Sequence, residues 1–462
     1  MYEIDELLKK IKRVHFIGIG GSGMCPIAEI LFNEGYELSG SDNNETDTLA
    51  RIRNMGIPVV LGQKAENIEG AEMIVYTAAI LPDNPELVAA LNSDIPTFER
   101  AEVLGAITRM YNECCCVCGT HGKTTVSSMI TQIMIQCGKD PSAVIGGKLP
   151  LIQSNGRVGN SENMVCEACE FKDHFLKLAP DTAVILNVDA DHLEYFKNIE
   201  NIIKSFNTFA NMARNAIIYN GDDLNTLKSI DGVTDKKMIS FGIENNNDFH
   251  AENIETVNAF AHFDVYKKDD KLGRVSLKVP GQHNVYNALA AIAYADYCGI
   301  AFDDAVKSLE QFGGACRRFE ILDKINGITI ADDYAHHPAE LKVTLEAAMQ
   351  MNYRKVWAVF QPFTYSRTKE LMDNFAEVLQ IPDECVMTEI MGSREVNTEG
   401  VYTSQLAEKI PGSVWFDTFE EVRDYMLEHA QSGDLIITLG CGDVYKVAKM
   451  IIKELRDCNT TP

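Results

Sequence analysis

The chain has 462 residues, room for about three domains at the usual ~100–200 residues each. With 46% apolar and 24% charged residues it reads as an ordinary globular protein, which excludes a disordered or fibrous one. A formal charge of −25 argues against nucleic acid or an anionic membrane surface as partner, yet permits a phosphate ligand held by local amides and one or two cations.

The opening segment, MYEIDELLKKIKR, carries acidic residues and no apolar core, and no apolar run approaches ~20 residues. Neither a signal peptide nor a membrane span is predicted, and a cytoplasmic location is expected. VHFIGI at 14–19 reads as a strand ending in glycine, followed by a helical pattern through Phe32. Then come Tyr36–Ser39, a helix near 46–55 and the strand-like MIVYT at 73–77. Such alternation predicts a parallel, doubly wound sheet. A second series starts at 114–118, with a helix after Lys123 and strands near 164–168 and 183–188. A β-rich stretch at about 250–280 and a helix over 284–298 close it. The third series begins at Arg318–Leu322 and runs through ITIADD, KVWAVFQP, ECVMTEI and DLIITLG. The fold class is therefore α/β in three domains, with boundaries expected at 1–106, 107–313 and 314–462. No 20–50-residue repeat or low-complexity linker interrupts them.

Thirteen scattered cysteines suit a reduced compartment. The run Cys114-Cys115-Cys116-Val117-Cys118 lacks the paired spacing of a zinc site. In a strand these side chains alternate between faces, so small apolar core residues are expected.

Gly18-Ile19-Gly20-Gly21-Ser22-Gly23 lies between strand and helix, with Asp42 at the end of the next strand. Glycines let backbone amides approach a pyrophosphate. Alone, the pattern also fits a dinucleotide oxidoreductase with Asp42 on a ribose hydroxyl, or a mere packing turn. The second loop, Gly119-Thr120-His121-Gly122-Lys123-Thr124-Thr125, is a stronger signal. Its amides can cradle phosphates, Lys123 can neutralise them, and the Thr124 hydroxyl can ligate Mg²⁺, which together indicate ATP. Val117 stands where a full Walker A motif would have its first glycine.

A nucleoside triphosphate also needs metal ligands. Glu167 in MVCEA and the group Asp189, Asp191 and His192 in ILNVDADH are the candidates at predicted strand ends. In GQHNVYN, Asn284 suits a base edge or a helix cap equally, and Asn287 follows one turn later. Arg317-Arg318-Phe319-Glu320 offers an anion clamp, and either His336 or His337 in DDYAHHP can contact a phosphoryl group or cap the helix that Pro338 starts. Gly440-Cys441-Gly442-Asp443 again joins a strand to a helix.

In order, HFIGIGGSGM, YTAAILPDNPEL, GTHGKTT, NVDADHLEYF, GQHNVYNALAA, RRFE, DDYAHHP, QPFTYSRTKEL and GCGD resemble the Mur ligase family along nearly the whole chain. The resemblance implies a Rossmann-like N-terminal domain for a UDP-sugar, a central P-loop-type ATPase domain with a parallel sheet, and a Rossmann-like C-terminal domain. It moves the first loop from a dinucleotide to the UDP pyrophosphate, with Gly18, Gly20, Gly21, Ser22, Gly23, Asp42 and Thr77 binding substrate. Gly119 to Thr125 would bind ATP, with Asn284 and Asn287 near adenine. Thr124, Glu167 and His192 would hold Mg²⁺, and Lys123, His192, Arg318, His336 and Arg367 would act in catalysis. The segments are most similar to the members that join L-alanine to UDP-N-acetylmuramate through an acyl phosphate, giving ADP and phosphate in peptidoglycan synthesis. A monomer or homodimer is expected, with no nucleic-acid or membrane partner. The rivals are a sister ligase adding a preformed peptide to the same sugar, an NAD-dependent oxidoreductase, and a non-catalytic nucleotide-binding regulator.

Two segments depart from the family pattern. Many relatives read EADESD where this chain has Glu167-Ala168-Cys169-Glu170-Phe171-Lys172, and carry a basic pair where it has Phe363 and Thr364. The second departure bears on the choice of amino acid. Lys204 sits about a turn early for the carbamylated lysine of sister ligases and is not assigned.

Overall fold

The computed structural model describes residues 3–393, 395–398 and 400–460. Its first sheet contains β1 (Arg13–Ile17), β2 (Glu37–Asp42), β3 (Val59–Leu61), β4 (Met73–Tyr76) and β5 (Thr97–Glu99), in the order β3-β2-β1-β4-β5. All its pairings are parallel. β1 is central and buried from its second residue onward, so it reads as a continuous apolar run. The carboxyl end of such a central strand is where parallel sheets bind ligands. Capping follows the local sequence: Thr46 accepts from Leu49 N at 3.1 Å, and Asn84 accepts from Glu86 N and Leu87 N.

The second sheet has ten strands: β6 (Glu113–Cys118), β7 (Ser142–Leu149), β8 (Ser154–Arg157), β9 (Asn163–Glu167), β10 (Thr182–Ile185), β11 (Ala216–Asn220), β12 (Lys237–Gly242), β13 (Phe249–Val257), β14 (Phe260–Lys267) and β15 (Asp270–Pro280). Their order is β15-β14-β13-β12-β11-β10-β6-β9-β7-β8. β6 lies between β10 and β9, parallel to both. Its cysteines 114, 115, 116 and 118 are fully buried, as the alternating-face reading expects. Desolvation pushes the Cys115 thiol well above its ordinary pKa. Among the described residues no group of three or more His, Cys, Asp or Glu side chains forms a metal cluster.

The third sheet contains β16 (Glu320–Ile325), β17 (Ile328–Asp333), β18 (Val356–Phe360), β19 (Glu384–Thr388), β20 (Val414–Phe416) and β21 (Leu435–Leu439), in the order β16-β17-β21-β18-β19-β20. Only β16 runs antiparallel, closing one edge. By contact density the chain divides into two compact units. One holds the residues up to Ile254, Phe263–Val275 and Val285–Phe312; the other holds Glu255–His262, Ser276–Asn284 and the chain from Gly313 on. No helix among the described residues is long and apolar enough to cross a membrane.

Candidate active site

The nucleotide loop leaves buried β6 at Gly119 and enters the helix Lys123–Gln136 through Gly122. Gly122 has φ +86°, and a Cβ there would lie 2.7 Å from Asn287 Oδ1, so conformation and space both demand glycine. Asn187 clamps the loop from β10's side. Its Oδ1 accepts from His121 N at 2.8 Å, and its Nδ2 donates to His121 O at 3.0 Å. Thr120 N donates to Asn187 O, and the Thr120 hydroxyl accepts from Asp189 N at 2.8 Å. The loop's conformation is thus fixed by protein contacts alone.

Lys123 Nζ donates to Gly119 O at 2.5 Å, to Thr120 O at 3.0 Å and to Glu170 at 2.9 Å. Desolvation works against its charge, but the carboxylates of Glu170 and Glu167 outweigh it and raise the pKa above the ordinary lysine value. At the next residue, Thr124 Oγ1 donates to Glu167 Oε1 at 3.1 Å. Glu167 Oε2 accepts from Gly146 N at 2.7 Å and from Ser127 Oγ at 3.5 Å. A hydroxyl beside a carboxylate supplies the oxygen donors that Mg²⁺ prefers. Two carboxylates three residues apart therefore meet the side chains of Lys123 and Thr124. Glu167 was legible from its place at a strand end; Glu170 was not.

His192 lies beyond the end of β10, at φ +54°, and opens the short helix Leu193–Phe196. Its Nε2 is 3.8 Å from Asp191, and its ring packs against Phe171 with centroids 4.7 Å apart. Phe171, one of the departures from the family pattern, is thus the neighbour of a predicted metal ligand. Asn287 meets the nucleotide loop at Gly122, whereas Asn284 donates from Nδ2 to Pro280 O at 2.7 Å.

The first glycine loop is built on β1 and β2. Gly18 N and Ile19 N donate to Ser41 O, and Gly20 N donates to Asp42 Oδ2 at 2.9 Å. Asp42 Oδ1 accepts from Asn43 N and Asn44 N. The carboxylate predicted to meet a sugar hydroxyl thus also braces the loop. Thr77 packs on Gly18, where a Cβ would be 3.0 Å from its Cγ2, and Ser22 O accepts from Asn155 Nδ2.

In the second unit the strand ends of β17 and β21 gather the remaining candidates. Arg317 bonds Asp332 Oδ2 at 2.7 Å and Gly440 O at 2.6 Å, so it ties the loops together. Arg318 lies over the Tyr334 ring at 5.5 Å. Asp333 accepts from Phe319 N and Ala335 N, both at 2.7 Å, and burial pushes its pKa up to about 6 although Arg318 pulls the other way. The two histidines separate cleanly. His337 is the cap of the helix Pro338–Met349 and accepts from Ala339 N at 3.3 Å. His336 Nδ1 faces Tyr334 O at 3.1 Å and Glu340 Oε2 at 3.2 Å. Both neighbours are acceptors, so Nδ1 carries the proton and Nε2 is the basic nitrogen. Desolvation lowers the His336 pKa, opposed by Glu340 and assisted by Arg367. Thr364, with φ +64°, precedes the helix Tyr365–Glu370 that carries Arg367.

Known proteins similar to this chain match it along nearly its whole length. Family models match in sequence order: Mur ligase family, catalytic domain, at 13–112; Mur ligase middle domain at 117–295; and Mur ligase, glutamate ligase domain, at 317–442. A UDP-N-acetylmuramate–L-alanine ligase of Acetivibrio thermocellus is 43% identical, covering 96% of each chain. One from Caldanaerobacter subterraneus is 41% identical, covering 98% of this chain and 99% of its own. The solved UDP-N-acetylmuramate-alanine ligase MurC of Thermotoga maritima superposes with TM-score 0.84 at 27% identity, over 96% of this chain and 99% of that one. A murein peptide ligase from Psychrobacter arcticus, at TM-score 0.75 and 23% identity over 96% and 98%, shares the fold. With three matching domains and relatives above 40% identity along its length, this chain belongs to the Mur ligase family.

Proposed function

We propose that this protein is an ATP-dependent ligase that joins L-alanine to the lactyl carboxylate of UDP-N-acetylmuramate, a cytoplasmic step in peptidoglycan precursor synthesis. The observation that carries the reading is a phosphate loop with both a half-buried, ion-paired lysine and a hydroxyl–carboxylate pair, in a chain whose full-length relatives bear that activity's name. A dinucleotide oxidoreductase has no use for Lys123, Thr124 and Glu167 in this arrangement.

In the first step a carboxylate oxygen attacks the γ-phosphorus, the bond to the β–γ bridging oxygen breaks, and ADP leaves. In the second, the L-alanine nitrogen attacks the acyl carbon, the bond to the phosphate oxygen breaks, and phosphate departs as the nitrogen loses its proton. Lys123 meets the triphosphate with a charge kept on by Glu170, while the amides of Gly119 to Thr125 receive its oxygens. Thr124, Glu167 and His192 would hold Mg²⁺, which when bound supplies charge screening between the carboxylate and the triphosphate. Asn287, and with it Asn284, faces the adenine. Gly18 to Gly23, with Asp42 and Thr77, bind the UDP-sugar. Arg318 and Arg367 attract the anionic groups in the second unit, and His336 accepts the amine proton at Nε2. Each of the three sheets then serves one part of the reaction, within the boundaries 1–106, 107–313 and 314–462.

The test is phosphate release from ATP and UDP-N-acetylmuramate with L-alanine, glycine, L-serine or a preformed tripeptide as acceptor. Release that depends on L-alanine is expected. Tripeptide-only release selects the sister ligase, and no release with any acceptor overturns the ligase reading.

A further inference from the structure

Arg100 follows β5 directly as the first residue of the helix Arg100–Thr108. Its side chain crosses Gly23, where a Cβ would lie 3.1 Å from Nη1, 3.2 Å from Cδ and 3.3 Å from Nε. Glycine at position 23 therefore leaves room for an arginine beside the first loop. The same arginine lines a small cavity together with Glu167, Cys169 and His174. Glu167 is the carboxylate that meets Thr124 of the second loop. One cationic side chain thus spans from the last glycine of the first loop to the wall that Glu167 provides for the second.

Among the described residues the Arg100 guanidinium takes part in no hydrogen bond or ion pair. This is unexpected in a chain with 67 acidic and 42 basic side chains. The two acids nearest in sequence are turned toward other groups. Glu99 faces His174 at 3.1 Å, and Glu102 closes the helix capping box by accepting from Glu99 N at 3.0 Å. A guanidinium cannot shed its proton to escape a partly buried site, so it calls for an anion from outside the protein.

We propose that Arg100 is a substrate-binding residue that holds an anionic oxygen group of the UDP-sugar where that substrate passes from the first loop toward the second. This rests on the reading under Proposed function. Two groups of that substrate have the chemistry, the pyrophosphate and the lactyl carboxylate. UDP-N-acetylglucosamine has the first and lacks the second.

The experiment titrates both sugar nucleotides calorimetrically into the full-length protein, wild type, Arg100→Ala and Arg100→Lys, and measures the KM for ATP. Arg100→Ala should weaken UDP-N-acetylmuramate binding about 10- to 100-fold, leave the KM for ATP within about twofold, and be partly rescued in Arg100→Lys. Equal weakening of both ligands assigns the pyrophosphate, and weakening of UDP-N-acetylmuramate alone assigns the carboxylate. If Arg100→Ala does not fold, Arg100→Lys decides, since loss of the bidentate fork should still cost at least about threefold. Unchanged UDP-N-acetylmuramate affinity in the folded variant, or an equal rise in the KM for ATP, overturns the inference while a fully active wild type keeps the ligase reading. A wild type that neither binds UDP-N-acetylmuramate nor releases phosphate overturns both.

Discussion

The two glycine loops follow one plan, strand then glycines then helix, at different lengths: Gly18 to Met24 in the first and Gly119 to Gly122 in the second. Each leaves a buried strand inside its sheet and opens a helix, the first turning through Gly18 and the second through Gly119 and Gly122 at positive φ. Around the first, the near carboxylate, Asp42, is turned inward onto the loop's own amides. Around the second, Glu170 and Glu167 hold the lysine and the hydroxyl proposed to meet the triphosphate. Glycine spacing therefore says that a phosphate approaches; the charges beside it say which chemistry follows. A pyrophosphate that is only held needs oriented amides, whereas a phosphoryl group that is transferred needs a fixed cation and a metal site.

The comparison breaks most visibly at Lys123. Lys123→Ala should lower L-alanine-dependent phosphate release about 10³-fold or more, read by a coupled phosphate assay, and a loss under about tenfold would equate the two loops.

Next in size is a control in the second unit, at Asp333. Burial raises its pKa from the ordinary aspartate range to about 6. Its protonated form is thus favoured on folding, so its contribution is full below about pH 4 and is lost as the pH rises through about 6. The difference in unfolding free energy between wild type and Asp333→Asn should shift by roughly 3 kcal/mol across that window. A flat difference from pH 4 to 7 in chemical denaturation would place the titration elsewhere.

A smaller, crossed effect sharpens the division between the loops. Gly122→Ala forces a side chain into φ +86° against Asn287, and Gly20→Ala sets a Cβ 2.9 Å from Asp42 Oδ2. Strain of about 1–3 kcal/mol at each site should raise the KM for ATP about tenfold in the first variant and that for the UDP-sugar similarly in the second. Crossed or shared effects in steady-state kinetics would blur the assignment. Smallest is the loss of the His337 cap: His337→Ala should reduce stability by about 1 kcal/mol with kcat preserved, whereas His336→Ala should lower kcat.

Much of this was legible before any coordinates. The strand–glycine–helix units at Gly18, Gly119 and Gly440 announce themselves because buried parallel strands are apolar throughout and only glycine makes such turns. The cysteine run reads as core for the same reason. Strands β3, β5, β7, β8, β11, β12 and β20 were not anticipated. SNGR has no apolar pattern, and short runs such as AIIYN and VWF do not distinguish strand from helix. At the site, Glu170's hold on Lys123 spans 47 residues, and it sits just before Lys172 and Asp173 in left-handed backbone, which no spacing rule forecasts. Which of His336 and His337 caps the helix depends on where the first turn begins, a matter of one residue. Arg100 was missed because its meaning lies in what is absent around it.

The central claim is that the loops divide the work between them. Calorimetric titration of ATP and of UDP-N-acetylmuramate into Lys123→Ala tests it most directly. ATP binding should weaken by about 10²-fold or more, with UDP-sugar affinity within about threefold of wild type. Equal loss of both ligands in a folded variant would contradict it.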